Sequence, residues 1–251
     1  MNQPVLERVI REKEWHNKTF GTDARTTVSK FYSINSRINL DMDNHILAAL
    51  MQDKTKFLEY GCGNGYYLIN ISNKIKQGIG IDISELLIEY AKSKLKEYNI
   101  KNIDFFVMDA MDTVFGNEEF DIIHGQSILH HLDLKLCLTE IKRILKDDGK
   151  SFFVEPLDTN PVIKLYRKLT PNARTPDEQP LRRRDIKLIK NIFPMTDIYF
   201  YSFLTLLAVP FRNKKCFAKI LAILFFLDKI ILHKRSPLKW LAWTCILVLK
   251  K

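Results

Sequence analysis

The chain lacks most of the features that announce a specialised scaffold. Its four cysteines, Cys62, Cys137, Cys216 and Cys245, contain no C-x-x-C pair and no metal-ligand spacing. That excludes a cysteine-rich zinc module and a disulfide framework. No metal is expected, and the thiols read as reduced residues of a cytoplasmic protein. There is no internal repeat and no low-complexity tract. A membrane span needs roughly 20 apolar residues, and the apolar stretch Phe217–Leu232 is cut by Lys219, Asp228 and Lys229. Met1-Asn2-Gln3-Pro4 opens a charged amphipathic segment, unlike a signal peptide. Acids, finally, run short late in the chain. Residues 1–155 hold 20 Lys/Arg against 23 Asp/Glu, whereas residues 156–251 hold 19 against 6. A basic half of this kind suits an anionic partner: a lipid headgroup surface, a nucleic acid or an acidic substrate. Few aromatics interleave with its charges, which disfavours nucleic acid.

What is present is material for a large core and one unusual turn. Apolar residues make up 46% of 251 positions, enough for one large domain or two small ones. Lys56–Tyr60 is a short apolar strand running into Gly61-Cys62-Gly63-Asn64-Gly65, followed by a helix-like run to Lys76. A strand, a glycine turn and a helix in that order aim backbone N–H groups and a positive helix end at the crevice above them. Further strands are expected over 78–82, 103–108, 120–124 and 150–155, with helices from Ser84 to Glu97 and from Asp133 to Leu145. Such alternation predicts an α/β fold with a parallel sheet covered on both faces. Residues 1–52 read as a helical lid, with helices over 3–15 and, capped by Asp43, over 44–51. Residues 53–156 form the core. Residues 157–251 hold a loop-rich segment with Pro161, Pro171, Pro176 and Pro180, a basic helix over 182–193, a strand over 196–201, two apolar stretches and a last strand over 240–249.

Ligands of open α/β sheets bind at the carboxyl ends of the strands. Those ends carry Glu59, Asp82, Asp109 and the group His124-Gly125-Gln126. A dinucleotide fingerprint would want G-x-G-x-x-G, but Tyr66 occupies the place of the last glycine and Glu59 is foreign to that pattern. Instead, Leu58-Glu59-Tyr60-Gly61-Cys62-Gly63-Asn64-Gly65 resembles the first motif of class I S-adenosylmethionine-dependent methyltransferases. Gly80-Ile81-Asp82-Ile83-Ser84, Val107-Met108-Asp109-Ala110, Phe120-Asp121-Ile122-Ile123 with Ser127–Leu132, and Leu145–Lys150 resemble the later motifs of that family. The resemblance covers residues 55–155. It implies a Rossmann-like, seven-stranded, mostly parallel sheet and S-adenosyl-L-methionine as cofactor. Gly61, Cys62 and Gly63 would face its methionine part, with Glu59 ordering the loop or the amino group and Gln126 nearby. Asp82 would hold the ribose hydroxyls, Ile83 would pack on adenine, and Asp109 with Ala110 would take the adenine amino group. Tyr32 is the aromatic expected over cofactor or substrate.

Methyl transfer needs alignment of donor and acceptor, and an acceptor oxygen of high pKa also needs a base. His130 and His131 after the fourth strand, Glu155 at the end of the fifth and His16 in the lid are the candidates. The segment Arg174–Leu181 could read a polar acceptor or tie a loop down, and Arg182-Arg183-Arg184 would suit a phosphate. Phe203–Val209 and Ile220–Leu232, with cationic flanks, read as a helix lying in a membrane interface. A buried helix or a homodimer contact is the alternative. The expected function is transfer of a methyl group, to oxygen first, on a lipid-like or lipid-linked acceptor at an anionic membrane surface. A soluble saccharide or small metabolite as acceptor is the second reading, and a cofactor-binding regulator or scaffold without turnover is the third.

Overall fold

The structure, a computed structural model, describes residues 3–19, 31, 33–50, 54–171, 175 and 177–251. Its strands are β1 Lys56–Tyr60, β2 Gln77–Asp82, β3 Ile103–Val107, β4 Phe120–Gln126, β5 Leu145–Pro156, β6 Asp197–Tyr201 and β7 Thr244–Lys250. They form one sheet in the order β3-β2-β1-β4-β5-β7-β6. β1 through β5 pair in parallel, and β7 runs antiparallel to both β5 and β6. The expected mostly parallel, seven-stranded Rossmann-like sheet is therefore what forms. The strand order reverses at β1, whose neighbours are β2 and β4, so the ligand crevice of this topology opens above their carboxyl ends.

Period-two alternation sorts the core into two layers. Leu58, Tyr60, Ile123, Phe153 and Leu247 face one side, where they meet α5 (Leu134–Ile144) and α7 (Arg183–Ile192). Phe57, Ile122, Phe152 and Val248 face the other, against α2 (Ser36–Leu47), α3 (Tyr66–Asn70) and α4 (Glu85–Glu97). Phe57, Leu58 and Tyr60 have no exposed surface, and burial of each side chain of this size contributes about 1.5–3 kcal/mol. Ser84 caps α4 by accepting from Leu87 N–H, and Asp133 caps α5 from Lys135 and Leu136.

Four elements depart from expectation: the last strand starts at Thr244 and not at Trp240, because Pro237–Leu241 form a 3₁₀ helix, and three others differ as follows. α2 begins at Ser36, so Asp43 lies inside the helix and caps nothing. Ile38, Met42 and Ile46, four residues apart, bury on the sheet and extend the helix backwards. The helix after the glycines stops at Asn70. There the Asn102 amide donates to the carbonyls of Ser72 and Ile75, partners that a continued helix would have made internally. The segment read as loop contains α6, Pro161–Leu169. Its start was legible: the Asn160 side chain accepts from Val162 and Ile163, and Pro161 fills the first helical position. The remaining helices are α1 (Gln3–Thr19) and α8 (Phe217–Ile231), with a 3₁₀ helix at Leu204–Phe211.

Candidate active site

The glycine turn folds as it does because three of its residues take left-handed backbone: Gly61 at φ 62°, Gly63 at 53° and Gly65 at 74°. L-residues reach that region at a cost of about 1–2 kcal/mol. The three differ in surroundings. A Cβ on Gly61 would strike Ile128 at 2.8 Å, and one on Gly65 would strike Phe105 and Ala91, whereas one on Gly63 would meet nothing within 4 Å. Gly61 and Gly65 thus allow close packing, and Gly63 borders open space above β1.

Polar groups converge on that space. Glu59 is 6% exposed. Burial pushes its carboxyl up to about 8, and Oε2 has no hydrogen-bond partner among the described residues. His124, opposite it on β4, lies 3.8 Å away and is pushed down to about 3 by burial, so the pair is neutral near pH 7. Asp82 accepts from Gly63 N–H at 3.0 Å and from Ser84 N–H at 2.9 Å, one bond on each oxygen. Its pKa is raised by burial, opposed by those bonds and by Ile83 N–H. Asp82 therefore ties the glycine turn to the end of β2 and keeps lone pairs to spare. Ile83 is half-buried beside it. Asp109, past the end of β3, accepts from Met111 N–H at 2.8 Å and is likewise raised by burial. Ala110 next to it is buried. Cys62 is buried with its thiol pushed well up, so it contributes shape and not a nucleophile. Gln126, at the end of β4, is exposed and donates to Asn39 Oδ1 at 3.3 Å.

The histidines stand further along the crevice. His130 is buried, and its Nδ1 lies 2.6 Å from Glu155 Oε2. Glu155 has no exposed surface; its other oxygen accepts from Ile128 and Leu129 N–H at 2.9 and 2.8 Å. Glu155 thus does not face the crevice as a free base would: it closes the turn after β4 and holds the His130 ring. His131 Nδ1 lies 3.0 Å from Glu12 Oε2.

Glu12 belongs to α1, which straps across the strand ends. Lys13 pairs with Glu85 at 2.6 Å and Asn17 accepts from Ser84 Oγ at 2.5 Å. At the other end, Arg11 forks onto Asp177 at 2.7 and 3.0 Å, and Arg8 donates to the carbonyls of His130 and Asp177. Asp177 and Glu178 tie their loop down, Glu178 through Arg167 at 2.5 Å. Arg182 and Arg184 lie within 3.7 Å of Asp158 and Asp185 respectively, and Arg183 lies over Trp240. A lid helix over 3–15 was read from the sequence, but the contact of Glu12 was not, and nothing local to Glu12 signals one with His131. Tyr32, Arg174 and the His16 side chain lie outside the described residues. A separate cavity of about 240 Å³ sits at the far, amino-terminal side of β4, lined by Ala48, Asp121, Asp148 and Lys150. Of its acids, Asp121 already accepts from Lys56 N–H and pairs with Lys146.

Known proteins share this arrangement. Residues 57–149 match the methyltransferase domain family. Demethylmenaquinone methyltransferase of Lactococcus lactis is 33% identical over 115 residues, 44% of this chain and 45% of that protein. The chain spans about half the length of the curated relatives it matches. Phospholethanolamine N-methyltransferase 2 of Haemonchus contortus superposes with a TM-score of 0.66 at 15% identity, over 95% of this chain and 59% of that one. YcgJ of Bacillus subtilis gives 0.57 at 18% identity, over 85% and 99%. The superpositions show the fold, and residues 57–149 are similar in sequence to the methyltransferase domain family.

Proposed function

We propose that the chain is an S-adenosyl-L-methionine-dependent methyltransferase acting, at oxygen in the first instance, on a lipid-like or lipid-linked acceptor at a membrane surface. The observation that carries the cofactor half is the set of acids Glu59, Asp82 and Asp109 around an open glycine turn. The partnerless Oε2 of Glu59 and the open side of Gly63 fit a ligand with a polar amino-acid end. Asp82 and Asp109 would hold the ribose hydroxyls and the adenine amino group, with Ile83 and Ala110 against the ring. The cofactor supplies a methyl group on a sulfonium centre, activated for in-line displacement. The chain contributes alignment and the exclusion of water, the latter through α1 across the strand ends. Calorimetry with the cofactor tests this: the parent binds, and Asp82→Ala weakens binding at least about tenfold, a loss of about 1.4 kcal/mol. Absent binding, or binding indifferent to Asp82→Ala, refutes it.

The acceptor half rests on α8. No helix among the described residues is long and apolar enough to cross a membrane. α8 instead turns Ile223, Phe226, Leu227 and Ile230 to solvent, 53%, 64%, 38% and 56% exposed, a stripe at helical spacing. Exposed Leu207 and Phe211 precede it in the chain. Asp228, expected to interrupt this stretch, points inward and is 2% exposed, so the outer stripe is apolar with Lys219 and Lys229 beside it. Such a face suits the headgroup boundary, where each nearby cation adds about 1 kcal/mol. Several of the similar proteins are named demethylmenaquinone methyltransferase. Flotation with anionic vesicles tests the reading: the parent co-floats at low salt, less at high salt, and Phe226→Ser with Ile230→Ser abolishes it. Parent protein left at the bottom of the gradient, together with labelled methyl transfer only to the aqueous fraction of an extract, would favour a soluble acceptor.

A further inference from the structure

Beneath α1, the turn after β4 and the loop around Glu178 bring together a donor set that sequence spacing conceals. One ligating atom from each of His130, His131 and Glu178 lies within 4.8 Å of the other two. The two imidazoles sit side by side on a 3₁₀ turn, ring centres 4.2 Å apart. Glu155 holds Nδ1 of His130 at 2.6 Å, and Glu12 stands 3.0 Å from Nδ1 of His131 as a contact without hydrogen-bond alignment. Metal-ligating histidines are oriented as His130 is, with one nitrogen held by a carboxylate and the other turned to the ion. Arg167 fixes Glu178 through Oε1, with a carboxylate oxygen turned toward the two imidazoles. Bonds of about 2.0–2.2 Å place the ligand atoms of a tetrahedral site roughly 3.3–3.5 Å apart, so about an ångström of side-chain rotation closes the set. Two imidazoles and one carboxylate suit zinc-type ions; all-oxygen sets suit magnesium or calcium, and thiolates suit cuprous ion.

We propose that His130, His131 and Glu178 bind a divalent transition metal of the zinc type, with Glu155 orienting the His130 imidazole, Glu12 drawn onto Nδ1 of His131 as the ion binds, and a fourth position left to water or an acceptor oxygen. The ion would also fasten α1 to the core, since Glu12 accepts from Thr175 as well as facing His131. Only the acceptor-oxygen role rests on the methyltransferase reading; the metal site stands apart from it.

The test is titration of chelator-stripped full-length protein with Co²⁺, followed by its visible absorption, by Zn²⁺ competition and by elemental analysis after dialysis. One equivalent of Co²⁺ with intense tetrahedral bands, displaced by Zn²⁺, is the expected result. His131→Ala and Glu178→Gln, each checked for parent-like circular dichroism, should lose it. Glu155→Gln should weaken it about 10–100-fold, and Glu12→Gln makes the same test on α1 if the buried variant fails to fold. No stoichiometric Co²⁺ spectrum, or binding unchanged in His131→Ala and Glu178→Gln, overturns the proposal. Cofactor calorimetry on the same metal-free protein reports the other reading separately: metal bound without cofactor affinity sinks the methyltransferase and leaves the site.

Discussion

Replacing Asp228 probes how the C-terminal part is held to the sheet. Asp228 Oδ1 accepts from Leu204 N–H at 2.7 Å; Oδ2 accepts from Phe203 and Thr205 N–H, both at 3.1 Å, and from Thr205 Oγ1 at 2.9 Å. The N–H groups at the start of the 3₁₀ helix have no partners within it, so one carboxylate on α8 satisfies an entire helix start. Hydrogen bonds to a charged group each contribute about 1.5–3 kcal/mol and do not add up. Leaving several buried donors without an acceptor costs about 1–3 kcal/mol for each, short of additivity, so Asp228→Ala should cost about 3–5 kcal/mol. For a chain of this length that is a drop of about 10 °C in Tm. Asp228→Asn should cost nearly as much, because an amide places a donor or leaves one oxygen where several donors converge. Thermal and urea melts measure the loss, and limited proteolysis between residues 203 and 235 locates it. An Ala variant melting within about 2 °C of the parent, equally resistant to protease, would refute the assignment.

The glycines separate packing from ligand space. Gly65→Ala forces a Cβ into Phe105 and Ala91 on left-handed backbone and should cost more than ~2 kcal/mol in urea denaturation. Gly63→Ala carries only the backbone strain of about 1–2 kcal/mol, so it should fold well yet lose cofactor affinity in calorimetry; retained affinity would contradict an occupied space there. Glu59 holds its proton in the folded state up to about 8, whereas the unfolded chain releases it near 4.5. Stability should therefore fall as pH rises across that window, by up to about 4 kcal/mol. Glu59→Gln should flatten the slope of urea midpoints between about pH 5 and about pH 9. His124 acts on the acid side: the unfolded chain binds its proton below 6.5 and the folded one only near 3. Stability contributed there is lost as pH falls through that range, and His124→Asn should remove the loss in acid melts.

The parallel core was legible because each of its strands is a short apolar run bounded by a turn residue or an acid. β1 and its glycine turn were found to the residue, and β2 through β4 to within two. α6 was missed because four prolines were weighed above one Asn-Pro pair, although only Pro161 sits at that helix and it opens it. Asp228 was misread for a different reason. A charge inside an apolar helix looks like an interruption from the sequence, and only the position of Phe203–Thr205 turns it inward. The contact between Glu12 and His131 joins residues far apart in the chain, and no periodicity encodes it. The strand-end acids were legible as positions. Their burial and partners, which set their protonation, were not.

The inward turn of Asp228 has an electrostatic consequence. Every acid after Pro156 is engaged: Asp158 near Lys164 and Arg182, Asp177 with Arg11, Glu178 with Arg167, Asp185 near Arg184, Asp197 with Lys250, and Asp228 beneath α8. Among the described residues no carboxylate pairs with Arg212, Lys214, Lys215 or Lys219, while residues 1–155 carry a slight excess of acid. The positive charge is concentrated in residues 156–251. Within a screening length of about 8 Å from an anionic surface the chain is turned before it touches, so orientation is chosen during approach. Salt should then slow arrival far more than it hastens departure.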